Sequence, residues 1–169
     1  NGAECEPYLT SDYRRMMEQS EELIKGLKVV LKIFPKATGY IGIEDNKPEA
    51  IKKLTELTKN EDRIQVKKLK TKYPQGGERS MIYAITGRKI NSKMLPADAG
   101  CIVQNVDTIF AIYEALYEKK PLTTRIITVT GDGIANPKNF NVYVGTNMQE
   151  LVDAAGGFKG EPEKMISGG

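Results

Sequence analysis

The sequence predicts an α/β chain in which a parallel sheet covered by helices is followed by a smaller β-grasp-type unit. Strand-like runs at 38–43 and 63–69 flank one helix-like run with short connections. Strand, helix and strand so joined imply parallel strands with a right-handed crossover, and hence a covered sheet. After Lys119-Lys120-Pro121 the apolar period changes to two, at 125–130 and 140–144, around the turn-rich Gly131-Asp132-Gly133 and Asn136-Pro137-Lys138-Asn139. A helical pattern follows that hairpin, and this order is the opening of a β-grasp unit.

The chain opens with Asn1-Gly2-Ala3-Glu4-Cys5-Glu6-Pro7 and no initiator methionine, as if cut from a longer protein. In an extended conformation Glu4 and Glu6 would face one side and Cys5 the other. Such a carboxylate pair suits acid–base work or sugar hydroxyls, and equally a polar loop with solvated charges. Thr10-Ser11-Asp12 and Ser20 offer helix starts. From Ser20 the stripe Leu23, Leu27, Val30, Leu31 and Phe34, widened by Ile24 and Ile33, runs to Pro35. The strand at 38–43 follows, and Pro48 suits the first position of a helix carrying Ile51, Leu54 and Leu57. The strand at 63–69 then leads into Lys72-Tyr73-Pro74-Gln75-Gly76-Gly77-Glu78, with helical spacing resuming at Met81, Ile82 and Ile85.

That heptapeptide is a strand-to-helix turn at the carboxyl end of a strand, where ligands of parallel sheets bind. The first N–H groups of a helix lack intrahelical partners and favour anionic or electron-rich ligands. Gly76 and Gly77 would let a ligand approach the backbone, and Tyr73 offers a flat face. Glu78 repels phosphate, so it suits ribose hydroxyls or amide groups. A plain Gly-Gly surface turn is the alternative.

Thr86-Gly87-Arg88 ends the helix, 89–99 is irregular, and Cys101-Ile102-Val103 reads as a short strand delivering Gln104-Asn105 to the next helix. This amide pair can bind a ligand with donors and acceptors or simply cap the helix, whose stripe runs from Val106 through Tyr117. Thr146-Asn147-Met148-Gln149 reads as a capping box for a short helix stopped by Gly156-Gly157, and 164–167 is left for a further strand.

Composition narrows the chemistry. The chain has no histidine, which excludes serine–histidine hydrolases and zinc–histidine enzymes. Cys5 and Cys101 form no Cys-x-x-Cys pair, so the span holds no iron–sulfur cluster alone, and a reducing compartment is the simpler expectation. A net charge of +3 does not demand nucleic acid. The basic run 67–72 lacks interleaved aromatics and reads as a solvated strand end. No apolar run approaches the ~20 residues that span a bilayer, so membrane attachment is expected through partners.

Three separated blocks, Asn1-Gly2-Ala3-Glu4-Cys5-Glu6-Pro7, Lys72-Tyr73-Pro74-Gln75-Gly76-Gly77-Glu78 and Gly100-Cys101-Ile102-Val103-Gln104-Asn105-Val106, match one pattern in one order. Ile43-Glu44-Asp45-Asn46-Lys47-Pro48-Glu49-Ala50 and Leu95-Pro96-Ala97-Asp98 extend it. The chain resembles, over essentially its whole length, the C subunit of the Rnf electron-transport complex, itself similar to the flavin- and NADH-binding 51-kDa subunit of respiratory complex I. The resemblance implies a Rossmann-like domain for FMN and NAD(H) over 1–121, then a soluble-ligand-binding β-grasp (SLBB) domain over 122–169.

It also implies cofactor-binding roles for Asn1, Glu6, Tyr73, Gly76, Gly77, Glu78, Gln104 and Asn105, with no acid–base catalyst and no metal ligand among them. Ala3 stands where relatives have aspartate, Gly77 where they have the first of two glutamates, and Gln104 where they have asparagine. A glycine-rich loop is expected before Asn1 and cysteine clusters for two [4Fe–4S] centres after Gly169, both outside this span. The implied parent passes electrons between NADH and iron–sulfur centres through FMN, as a peripheral subunit at the cytoplasmic face of the bacterial membrane, partnered by the other Rnf subunits. The span by itself is expected to fold with little flavin. Cobalamin reductases resemble the same span, and a non-catalytic docking or ligand-binding module is the reading from another class.

Overall fold

A computed structural model describes residues 1–168. The chain divides into two compact units, Asn1–Cys5 with Asp12–Lys120, and Glu6–Ser11 with the residues from Pro121 onward.

In the first unit the elements run α1 (Ser11–Glu18), α2 (Ser20–Ile33), β1 (Gly39–Glu44), α3 (Pro48–Thr58), β2 (Ile64–Leu69), α4 (Glu78–Thr86), a 3-10 turn (Pro96–Ala99) and α5 (Val106–Tyr113). β1 and β2 pair in parallel from Gly39 opposite Ile64 to Glu44 opposite Leu69, as the short strand–helix–strand connections require. Among the described residues the sheet of this unit is that one pair. The core gathers Met16 of α1, Leu23, Ile24 and Leu31 of α2, Ile41 and Ile43 of β1, Leu54 of α3 and Ile109 of α5. A smaller cluster of Ala3, Leu69 and Met81 joins the first residues to the end of β2 and to α4.

Local expectations are corrected at three places in this unit. Residues 101–105 form no strand; Cys101 N–H turns back to Pro96 O, and the contact with the first segment is limited to Asn1 N to Gln104 O and Val106 N to Asn1 O, too short for a ladder. The α2 stripe stops short, because Ile33 and Phe34 are exposed where the helix ends before Pro35. Arg63 closes that end, its Nη1 lying within 2.9–3.4 Å of the carbonyls of Leu31, Phe34, Pro35 and Ala37. The stripe expected through Tyr117 breaks as well, since Glu114–Glu118 is π-helical and the wider turn leaves Leu116 and Tyr117 exposed.

In the second unit β3 (Thr124–Val129) and β4 (Lys138–Tyr143) form an antiparallel hairpin, followed by α6 (Met148–Ala154). Thr10 belongs here, exchanging hydrogen bonds with Asn139. Asn147 caps α6 by accepting from Gln149 N–H, while the Thr146 hydroxyl turns back to Tyr143 O, so the box expected from Thr146 is replaced by an Asn cap. Gly156 and Gly157 stop the helix in the left-handed region. Among the described residues 164–167 form no strand, and an isolated bridge joins Ile134 to Phe158. The observed unit is therefore hairpin plus helix.

α2 and α5 touch backbone to backbone. Gly26, in the middle of α2, faces Ile109 so closely that an added Cβ would lie 2.2 Å from the Ile109 carbonyl oxygen. Glycine inside a helix costs roughly 1 kcal/mol against alanine, so propensity alone favours the replacement. The contact opposes it: Gly26→Ala should destabilise the first unit by about 1–3 kcal/mol in urea unfolding. Gly133→Ala, with nothing near its Cβ position, should change stability by only a few tenths.

Candidate functional site

The turn between β2 and α4 is built from successive backbone bonds. Gln75 N–H donates to Lys72 O at 2.8 Å, Gly77 N–H to Pro74 O at 2.9 Å, and Met81 N–H to Gly77 O at 2.9 Å, which starts the helix. No side chain caps that first turn, so its donors point away from the helix unsatisfied by side chains. Tyr73 is 79% exposed and presents its ring, and Glu78 is exposed at the first helical position.

The two glycines serve different needs. A Cβ on Gly76 would lie 2.6 Å from Cys5 Sγ and 2.8 Å from Ala3 O, so the space beside it is filled by the first segment of the chain. Gly76 N–H donates to Cys5 Sγ at 2.9 Å, and its carbonyl accepts from Asn1 Nδ2 at 2.9 Å. Gly76 is thus required for packing against residues 1–5. At Gly77 an added Cβ would meet Pro74 O at 3.1 Å and, in ordinary contact, Pro74 Cβ and Ser80 Oγ.

The expected residues Asn1, Gly76, Gln104 and Asn105 are brought together. Asn1 bonds Gly76 through its side chain, and its amino group donates to Gln104 O at 2.7 Å. Asn105 caps α5, accepting from Asp107 N–H at 2.7 Å, while its Nδ2 donates to Asp12 at 2.6 Å. The cap is the reading observed here: the oxygen is used by the cap, and one of the two amide hydrogens by Asp12. Glu6 falls in the second unit, whereas Glu4 lies in the first. Residues 6–8 form a bend and turn with Tyr8 in the left-handed region, so no continuous strand carries Glu4 and Glu6 together.

Sequence reasoning missed a buried polar network beside these residues. Lys47 Nζ bridges Glu4 at 2.7 Å and Glu44 at 3.3 Å, with both carboxylates 3% exposed at the side chain. Glu4 Oε1 accepts from Asp12 N–H at 2.8 Å, and Glu44 accepts from Glu4 N–H at 3.2 Å. Arg15 pairs with Asp107 at 2.7 Å and lies 3.8 Å over the Phe110 ring. Burial pushes the Asp12 carboxyl up to about 6, with Glu4 and Asp107 adding to the rise and the Asn105 hydrogen bond opposing it. Gln75 was also missed: it is 2% exposed and its Nε2 has no partner. The available signal for Lys47 was its place just past the carboxyl end of β1; for Gln75 it was its place inside the turn.

A cleft of about 830 Å³ runs along the outer edge of β1, lined by Leu27, Tyr40, Ile85 and Ile102 among others. Asn1 and Gln104 reach it, but Tyr73, Gly76, Gly77, Glu78 and Asn105 do not. Its walls are mainly aliphatic, so the polar chemistry lies at the turn and the network.

Removing Lys47 would leave two nearly dry carboxylates without their common ammonium. Lys47→Met should destabilise the first unit by about 3–5 kcal/mol in urea unfolding. Lys59→Met, whose partner Glu56 is exposed, should cost under about 1 kcal/mol.

Residues 1–114 match the family model of the Nuo51 FMN-binding domain, and residues 126–169 that of the SLBB domain. The chain is 48% identical over 169 residues to the C subunit of the Na(+)-translocating ferredoxin:NAD(+) oxidoreductase complex of Acetobacterium woodii. It is 49% identical to the C subunit of the proton-translocating ferredoxin:NAD(+) oxidoreductase complex of Clostridium ljungdahlii, and 37% identical to the C subunit of the ion-translocating oxidoreductase complex of Rhodobacter capsulatus. All of this chain is covered in each case, but only 38%, 37% and 33% of those relatives. With its first two thirds matched by one model and its remainder largely by the other, the chain belongs to the Nuo51 FMN-binding family, carrying an SLBB domain behind it.

Proposed function

We propose that this chain is the FMN-binding part of a flavoprotein subunit that moves electrons between NADH and iron–sulfur centres in a membrane-associated, ion-translocating ferredoxin:NAD oxidoreductase complex. The observation that carries the reading is the uncapped α4 turn, with the orphaned Gln75 amide inside it and Asn1 tied to Gly76. A buried donor without a partner costs about 1–3 kcal/mol, and an acceptor-rich ring system would relieve it. The residues present fit FMN: backbone donors at the uncapped start of α4 suit its electron-rich atoms, the exposed Tyr73 ring its flat face, and Asn105 retains one amide hydrogen to donate. When bound, the flavin supplies the conversion of a two-electron hydride transfer into one-electron steps.

This chain's own residues would orient and select. Asn1 holds the turn to the first segment, and Gln104 holds Asn1. Glu78, as an acceptor that repels phosphate, would serve ribose hydroxyls and the carboxamide of the dinucleotide. A Rossmann-like sheet and a β-grasp unit are the architectures in which the observed parallel pair and hairpin-plus-helix would sit. The [4Fe–4S] centres would lie outside the span. No helix among the described residues is long and apolar enough to cross a membrane, in keeping with attachment through other subunits at the cytoplasmic face.

Flavin released on denaturing the full-length protein is the direct test, and a colourless protein that cannot be reconstituted with FMN would overturn the reading. Gly76→Ala should lower FMN content by tenfold or more, roughly the loss of one charge-assisted hydrogen bond, because the added methyl displaces Cys5 or Ala3 and moves the turn.

Glu78→Gln should raise the KM for NADH by about tenfold with flavin content nearly unchanged. Equal loss of both would contradict the division of roles.

A further inference from the structure

The Asn105 amide is gripped at both ends. Its Oδ1 accepts from Asp107 N–H at 2.7 Å, an ordinary helix cap. Its Nδ2 donates to Asp12 Oδ2 at 2.6 Å, across 93 residues of sequence. The cap alone allows little choice of rotamer but says nothing about what the nitrogen meets; Asp12 decides that.

We propose that Asp12 is a positioning residue of the site: by accepting one amide hydrogen of Asn105 while Asp107 N–H takes the oxygen, it fixes the amide so that Asn105 presents a hydrogen-bond donor to a ligand. The ligand atom so recognised is an acceptor, a carbonyl oxygen or an unprotonated ring nitrogen, both of which an isoalloxazine carries. This deepens the flavin reading and rests on it for the ligand, though the orientation of the amide is a property of this chain alone.

Asp12 is itself held. Its N–H donates to Glu4 Oε1, and Glu4 is anchored by Lys47, which also reaches Glu44. Asp12 therefore joins the first segment of the chain to the start of α5. The charged groups facing it are Glu4 of that segment, the Asn1 amino group, and Asp107 of α5, with Arg15 engaged by Asp107. As a carboxylate, Asp12 can only accept, so the Asn105 nitrogen must face it. As a neutral acid it can donate to the amide oxygen instead, and the flipped amide competes. Burial places that change near pH 6, with the lock complete above it and loosened below.

The test is a side-chain amide titration of the uniformly 15N-labelled chain over the range of about pH 4 to 8. The Asn105 pair should shift with a midpoint near 6, and most of that shift should be lost in the isosteric Asp12→Asn, which keeps an acceptor and leaves the Asn1 amino group, lowered by burial to about 6, as the neighbouring titration. An Asn105 pair that stays still in the wild type, or titrates equally in Asp12→Asn, would overturn the proposal. In the full-length protein, Asp12→Leu should weaken FMN binding about tenfold, and Asp12→Asn should restore most of it. Unchanged affinity in Asp12→Leu would likewise overturn it. A full-length wild type that binds no FMN would sink the flavin reading alone, and the Asn105 resonances would still decide whether Asp12 orients the amide.

Discussion

Two carboxylates, those of Glu4 and Glu44, lie almost out of water at the carboxyl end of β1, and the ammonium of Lys47 sits between them. Charges taken this far from solvent are tolerated only in pairs with their remaining lone pairs used, and here backbone N–H groups of Glu4 and Asp12 complete the set. The arrangement ties three stretches that are distant in sequence: the first segment, the loop after β1, and the start of α1. Once Glu4 is fixed, Ala3 can pack against Leu69 and Met81, Cys5 can accept from Gly76, and Asn1 can reach both Gly76 and Gln104. The geometry of the turn thus depends on an ion group that contacts none of it directly.

The order of elements was largely legible because each carries its own period. Leu23, Leu27 and Leu31 mark a helix at the scale of one turn, and the short connections around α3 imply parallel strands without any knowledge of partners. What could not be read locally depended on neighbours. Cys101-Ile102-Val103 has strand-like residues, yet strand formation needs a ladder, and here Cys101 N–H turns back to Pro96 O while Asn1 reaches just Gln104 and Val106 beyond it. The π turn after Tyr113 leaves no sign in a stripe that fits helical spacing through Tyr117. At the site, the Tyr73–Glu78 turn and the Gln104-Asn105 pair stood out by residue type. Lys47, Asp12 and Gln75 did not, since a lysine in a loop, an aspartate at a helix start and a glutamine in a turn are ordinary until their burial is known. Gly76 shows a subtler divide, for the need for glycine was visible while its cause, contact with Cys5 and Ala3, was not.

Arg63 carries one more implication, for how the helix end and the sheet are coupled. The carbonyls it collects belong to residues 31–37, about thirty residues before it in the chain. Arg63 also directly precedes β2, so the side chain that closes the end of α2 is held by the strand that pairs with β1. One guanidinium thereby splices a helix terminus to a strand start, and a shift of the β2 register would uncover the carbonyls at the far side of the loop.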